Sequence, residues 1–158
     1  MVVLLLLILP ALPFRHIDID RKPQPKAHIN AILMAIKNYE STYGFLPFGE
    51  KKNKEDIIII DEYDTLMELL TCRKGSGKNK DIVSNARKIA FLYAPDSFKE
   101  KGYLDPWGHR FIILLDVDYD GVIHLDNEDI KNSVLVYSCG KDGKDDKGKN
   151  DDICSWKD

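Results

Sequence analysis

The feature that most constrains this chain is an acidic, glycine-punctuated loop near its carboxyl end, residues 139–155. The glycines permit the positive φ angles that a tightly wrapped backbone needs. Carboxylates spaced along such a loop can surround Ca²⁺, which takes roughly six to eight oxygen ligands. The lysines that alternate with the acids favour the opposite interpretation, a solvated tail whose charges are neutralised locally. The acids are Asp142, Asp145, Asp146, Asp151 and Asp152.

The apolar residues at the end of the loop decide between these two interpretations. Ile153 follows the last aspartate directly, and Trp156 comes three residues later. A segment with apolar anchors is expected to pack back on the domain, and a loop this charged then needs a partner that holds it in place, for which Ca²⁺ is the leading candidate. We therefore predict a Ca²⁺ site in this loop.

The amino-terminal half shows helical periodicity. Apolar residues at helical spacing predict an amphipathic helix over 27–43, and Gly44 stands where a carboxyl-terminal cap is expected. A second helix is predicted over 61–71, capped by Asp61 or Asp64. A third, short helix is predicted over 81–92. The run of isoleucines at 57–60 favours extended backbone.

After residue 109 the pattern changes to that of strands. Strands are predicted at 111–115, 122–125 and 133–138, with Asp120-Gly121 as the hairpin turn between the first two. Helices followed by a small antiparallel sheet indicate an α+β domain.

The hydrophobic residues 1–14 stand apart from this domain. The segment is shorter than the roughly 20 apolar residues of a bilayer span, and prolines interrupt it. It resembles the apolar region of a signal peptide or part of a longer hydrophobic helix that begins upstream. Both alternatives predict that the chain leaves the cytoplasm. Residues 15–26 are predicted as a linker, and residues 27–158 as one domain.

Charge and motif content exclude several functions. A net charge of −3 provides no basic field for nucleic acid. The four histidines are scattered, and the Gly-Ser-Gly-Lys run that ends at Lys78 is followed by Asn79, where a phosphate loop needs Ser or Thr. We expect no catalytic residue and no enzymatic activity. Cys139 and Cys154 flank the acidic loop and are either bridged, which would contribute about 3 kcal/mol, or free.

A second acidic segment, 116–123, begins like an EF-hand loop. Asp116, Asp118 and Asp120 occupy its first, third and fifth positions. The twelfth position is Asn127, and Glu128 comes one residue late. One interpretation is a hairpin with a solvated acidic tip, and the other is a weak second cation site. A secreted Ca²⁺-binding module that uses these three aspartates is the alternative function.

Four features, in order, resemble the major pseudopilins of bacterial type II secretion systems, over residues 27–48 and 103–156. They are a hydrophobic start that leads into an amphipathic helix, an aromatic exit from that helix, an Asp-Pro-Trp-Gly turn before the sheet, and the acidic ending. The residues are Tyr39, Tyr43-Gly44-Phe45-Leu46-Pro47, Asp105-Pro106-Trp107-Gly108, Tyr137-Ser138-Cys139-Gly140-Lys141-Asp142-Gly143, Asp151-Asp152-Ile153 and Trp156.

The resemblance implies a non-enzymatic subunit with a pilin-like head. Such proteins are anchored in the inner membrane, cut by a prepilin peptidase, and polymerise with themselves and other pseudopilins into a periplasmic filament. Their C-terminal loop binds Ca²⁺. Carried onto this chain, the carboxylate ligands are Asp142 and Asp151 or Asp152, with carbonyl ligands from near Cys139. In the family, a Gly-Phe cleavage signal and a Glu precede the hydrophobic run. Neither precedes the hydrophobic run here, and a start assigned too far downstream would explain their absence.

Overall fold

The amphipathic segment forms one long helix, α1 (Pro25–Tyr43), in a computed structural model that describes residues 24–49, 55–73, 85–94 and 101–157. Its buried stripe has the predicted helical spacing and includes Ile29, Ile32, Ile36 and Tyr39. Pro25 is tolerated in the first turn because a backbone N–H there would have no partner within the helix. The helix therefore begins two residues earlier than predicted and takes residues 25 and 26 from the linker.

The carboxyl end of α1 confirms the predicted cap. Gly44 adopts a left-handed conformation with φ 85°, and its N–H donates to the carbonyl of Glu40 at 2.7 Å. The hydrophobic segment 1–14 and residues 15–23 of the linker lie outside the described residues. Within the described part of the chain, no helix combines the length and apolarity that crossing a bilayer requires.

The isoleucine run forms strand β1 (Ile57–Ile59), and helix α2 (Tyr63–Thr71) follows it, as predicted. The predicted cap of α2 is wrong. Glu62 occupies the N-cap position without a side-chain capping bond. The Asp64 carboxylate instead accepts a hydrogen bond from the Arg110 guanidinium at 2.8 Å.

The third predicted helix is also wrong where the structure describes it. Residues 85–94 form a turn and irregular backbone, and residues 81–84 lie outside the described residues. The Asn85 side chain replaces helical hydrogen bonds. Its amide donates to the Ile89 carbonyl at 2.7 Å, and its oxygen accepts from the Ile89 N–H at 3.0 Å. Asparagine side chains compete with a helix in this way by bonding nearby backbone.

Three further strands join β1 in one sheet: β2 (Ile112–Leu115), β5 (Val134–Ser138) and β6 (Ile153–Cys154). The sheet is antiparallel, with the strand order β1-β2-β5-β6. Ile113 in β2 lies opposite Val136 in β5, and Tyr137 in β5 lies opposite Cys154 in β6. The predicted strands at 111–115 and 133–138 are thereby confirmed.

The predicted hairpin through Asp120-Gly121 is wrong, because the strand after that turn does not return along β2. Strand β3 (Ile123–Leu125) pairs with β4 (Glu128–Ile130) in a separate two-stranded sheet. The Leu125–Glu128 pair leaves a two-residue turn whose first residue, Asp126, has φ 57°. Aspartate is among the residues that tolerate positive φ in such turns.

The four-stranded sheet has an apolar core on each face. Helix α1 covers one face, where Ile113 and Val136 are fully buried. The β3–β4 hairpin and the C-terminal loop pack against the other face around Leu114, Leu135 and Tyr137. The alternating side chains of a strand point to opposite faces, which explains this division. The architecture is α+β, as the sequence predicts.

Candidate metal centre

The acidic loop joins β5 to β6 and lies on the sheet face opposite α1. Because Ser138 pairs with Ile153 at the edge of the sheet, the loop leaves and returns at the same place. The Trp156 ring packs edge-on against the buried Tyr137 ring at a centroid distance of 5.7 Å. Ile153 packs against the core on the α1 side of the sheet. The prediction that apolar anchors fold this segment onto the domain is confirmed.

Glycine is required at the point where the loop passes under Trp156. Gly148 is buried with φ 78°, and a Cβ atom there would lie 2.7 Å from Trp156 Cζ2 and 2.9 Å from Cys154 Sγ. Real Cβ atoms do not approach other atoms so closely, and a left-handed conformation is costly for other residues. The loop backbone is therefore fitted closely to its anchors.

The Asp152 carboxylate occupies the inside of the loop. Its Oδ2 accepts hydrogen bonds from the N–H groups of Asp146 at 3.1 Å and Gly148 at 2.8 Å. Its Oδ1 is buried and has no hydrogen-bond partner among the described residues. Burial raises the pKa of this carboxyl, and the nearby Asp145 charge raises it further. An unsatisfied, buried carboxylate oxygen fits a cation, because a positive charge would compensate the cost of burying it.

The loop's own lysines partly neutralise the neighbouring acids. Asp146 receives the Lys144 ammonium at 2.7 Å, and Asp145 contacts the Lys147 ammonium. Within the described residues, no ammonium pairs with Asp152 in this way. Local neutralisation by lysines therefore applies to Asp145 and Asp146 but not to Asp152 at the centre of the loop.

The other predicted ligands lie on the outside of the loop. Asp142 is exposed and accepts from the Lys144 N–H at 2.9 Å, and Asp151 is exposed and accepts from the Lys141 N–H at 3.1 Å. Among the described residues, their carboxylates do not form a close group of three ligand atoms with Asp152. The structure thus places all three on one loop without bringing their side chains together.

Both cysteines of this region are free thiols in the described structure. Cys139 and Cys154 are buried at the base of the loop. Burial raises the pKa of each to about 11, so both stay protonated at neutral pH. Because Ca²⁺ takes oxygen ligands, the ligand predicted from near Cys139 is a backbone carbonyl oxygen and not the thiol.

The second acidic segment forms a different cluster. Asp116 is only 2 % exposed and accepts hydrogen bonds from the N–H groups of Asp120 at 3.2 Å and Gly121 at 3.0 Å. The expected solvated tip is therefore wrong for Asp116. Oxygens of Asp56, Asp116 and Asp118 lie within 4.8 Å of one another. Burial and the neighbouring Asp118 raise the pKa of Asp116.

Asp56 is the member of this cluster that the sequence did not reveal. It precedes β1, and its Oδ2 accepts the His124 N–H at 3.0 Å, while its Oδ1 is buried without a partner among the described residues. A cavity of about 430 Å³ adjoins the cluster and is lined by Glu55, Asp56, Ile58, Leu114, Asp118 and His124. Asp120 is exposed and is not one of the three grouped residues.

Comparisons with known proteins give no relative from which a function could be transferred. No protein-family model, curated protein or solved structure matches the chain.

Proposed function

We propose that this chain is a structural subunit of a type II secretion pseudopilus whose head is stabilised by Ca²⁺ in the C-terminal loop. Its N-terminal segment anchors it in the bacterial inner membrane, and its head lies in the periplasm. Copies polymerise with one another and with other pseudopilins, and the growing filament helps to export folded proteins. The role is mechanical and requires no bond chemistry.

The observation that carries the proposal is the position of Asp152. The loop folds onto the sheet around this carboxylate, and one of its oxygens is buried with no donor in the described part of the chain. Asp152 supplies the inner oxygen for the ion, and Asp142 and Asp151 are the other carboxylates that the resemblance assigns. When bound, the ion supplies positive charge inside a loop that is otherwise closed by backbone hydrogen bonds.

A contact at the start of α1 connects this loop with the membrane-proximal end of the head. The Lys26 ammonium donates to the Cys154 carbonyl at 2.7 Å and also contacts the Lys157 carbonyl. The first turn of α1 is where the N-terminal segment joins the head. Order in the C-terminal segment therefore supports the first turn of α1, which a filament subunit needs to keep in place.

In-cell cross-linking of the full chain tests the filament role. Intact Gram-negative cells that express it are treated with an amine-reactive cross-linker, and the membrane fraction and medium are analysed separately. A ladder of multimers in the membrane fraction supports the proposal. A variant without residues 1–14 serves as the control and should give no ladder. Monomer released into the medium by the full chain would contradict the filament role.

The second candidate is a secreted Ca²⁺-binding module centred on Asp116, Asp118 and Asp120. The grouping of Asp56 with Asp116 and Asp118 is the observation that favours it. Calcium binding that is lost in Asp116→Asn and kept in Asp152→Asn, by a chain found as a monomer in the medium, would support this candidate over the pseudopilin.

A further inference from the structure

The Asp-Pro-Trp-Gly turn before β2 is built around a buried carboxylate. The Asp105 side chain is fully buried, and its Oδ1 accepts the N–H groups of Trp107 at 3.0 Å and His109 at 2.8 Å. The backbone closes the same turn, since the Asp105 N–H donates to the His109 carbonyl at 2.8 Å. Oδ1 of Asp105 thus holds its own turn, whereas Oδ2 lies 3.8 Å from His109 Nδ1 and also reaches beyond the turn.

The second oxygen reaches the start of the acidic loop. Asp105 Oδ2 accepts the Ser138 hydroxyl at 2.6 Å, and Ser138 is fully buried at the end of β5. The same hydroxyl oxygen accepts the Gly140 N–H at 3.2 Å. Because a serine has one proton to donate and the carboxylate takes it, its lone pairs remain for the Gly140 N–H. The hydrogen-bond chain therefore runs from the Gly140 N–H to the Ser138 hydroxyl and from that hydroxyl to Asp105 Oδ2.

The turn holds Gly140 a second time through His109. The Gly140 carbonyl lies 3.3 Å from His109 Nδ1, and a Cβ at Gly143 would lie 2.7 Å from His109 Nε2. On its other side Gly140 meets Asp151, because a Cβ at Gly140 would lie 2.5 Å from the Asp151 backbone oxygen. The Gly140 N–H is thus connected to Asp105 through Ser138, and the Gly140 carbonyl contacts His109. Both contacts lie at the point where the two ends of the loop meet.

We propose that Asp105 is the positioning residue of the C-terminal loop, holding Gly140 through the Ser138 hydroxyl so that the loop's carboxylates stay in place for a divalent cation. The cation rests on the function proposed above, whereas the positioning of the loop does not. Asp105 touches no ion in this role and acts through Ser138.

Amide hydrogen exchange of the full chain in calcium-free buffer tests this role. Asp105→Asn keeps an oxygen for the Trp107 and His109 amides but presents an NH₂ group to Ser138, which cannot accept the hydroxyl proton. Loss of the hydrogen bond from the Ser138 hydroxyl to residue 105 frees the hydroxyl to rotate, so its oxygen holds the Gly140 N–H less firmly. We expect the Gly140 amide to exchange about tenfold faster, with the Trp107 and His109 amides unchanged. Ser138→Ala should give the same local change, and the double variant should be no worse than either single one.

Ser155→Ala is the matched control. Ser155 lies directly after β6, and its hydroxyl oxygen accepts the Val136 N–H at 3.1 Å without touching the turn. The Ser155→Ala substitution should weaken the sheet locally and leave the exchange rate of the Gly140 amide unchanged. If Asp105→Asn leaves Gly140 exchange unaltered, or accelerates it no more than Ser155→Ala does, the positioning role is overturned. Faster Gly140 exchange in Asp105→Asn supports the positioning role even if the chain binds no calcium. Absence of calcium binding overturns only the proposed function.

Discussion

Replacing Gly148 with alanine is predicted to destabilise the head by about 2–4 kcal/mol. The left-handed backbone contributes about 1 kcal/mol of this after allowing for the reduced entropy of the unfolded chain. The remainder comes from the methyl group, which would lie 2.7 Å from Trp156 and 2.9 Å from Cys154 Sγ. Forcing an extra carbon into a packed site costs about 1–3 kcal/mol.

Gly121→Ala separates the two contributions. Gly121 has φ 86°, close to the φ 78° of Gly148, but a Cβ there would meet no atom of the described residues within 4 Å. This control should lose only about 1 kcal/mol. Equilibrium urea unfolding, followed by circular dichroism, measures both variants against the parent chain. Equal losses in the two variants would refute the close packing of Gly148 under Trp156.

Two further predictions concern titration and reactivity. Burial raises the pKa values of Asp116 and Asp152 above their usual 3.8, so the folded state holds more protons than the unfolded state. Their contribution to stability is complete below pH 3.8 and is lost as pH rises through the folded pKa. Above pH 3.8, the slope of the calcium-free melting temperature against pH should therefore be more positive in Asp152→Asn than in the parent chain, and equal slopes would contradict this. In the folded chain, Ellman's reagent should modify the exposed Cys72 quickly and the buried Cys139 and Cys154 slowly, since burial raises the pKa values of these two thiols to about 11. Equally fast modification of all three thiols would contradict this prediction.

The elements that could be predicted from the sequence are those set by local signals. The apolar stripe of α1 and its Gly44 cap lie within one continuous segment, and the structure reproduces both. Ile153 and Trp156 were sufficient to predict that the acidic loop folds back on the sheet. Each of these predictions depends on neighbouring residues alone.

The features that sequence reasoning missed depend on contacts between distant segments or on competition between two local signals. Turn signals lie on both sides of β3, at Asp120-Gly121 and at Asp126. The turn at Asp126 determines the pairing, so β3 pairs with β4 instead of β2. The side chain of Asn85 replaces a helix that periodicity alone favoured. Asp56 joins Asp116 only because β1 pairs with β2, and strand periodicity does not identify a partner strand. The role proposed for Asp105, which lies in the turn before β2, likewise requires a serine from β5.

Calcium titration of the full chain tests the central claim most directly. Isothermal titration calorimetry and thermal melts are compared for the parent chain, Asp152→Asn and the control Asp116→Asn. At a calcium concentration about 100 times the dissociation constant, binding adds about 2.7 kcal/mol, which raises the melting temperature by roughly 5–11 °C. The account predicts this rise in the parent chain and in Asp116→Asn, and its loss in Asp152→Asn. A parent chain without a calcium response, or a full response in Asp152→Asn, would contradict it.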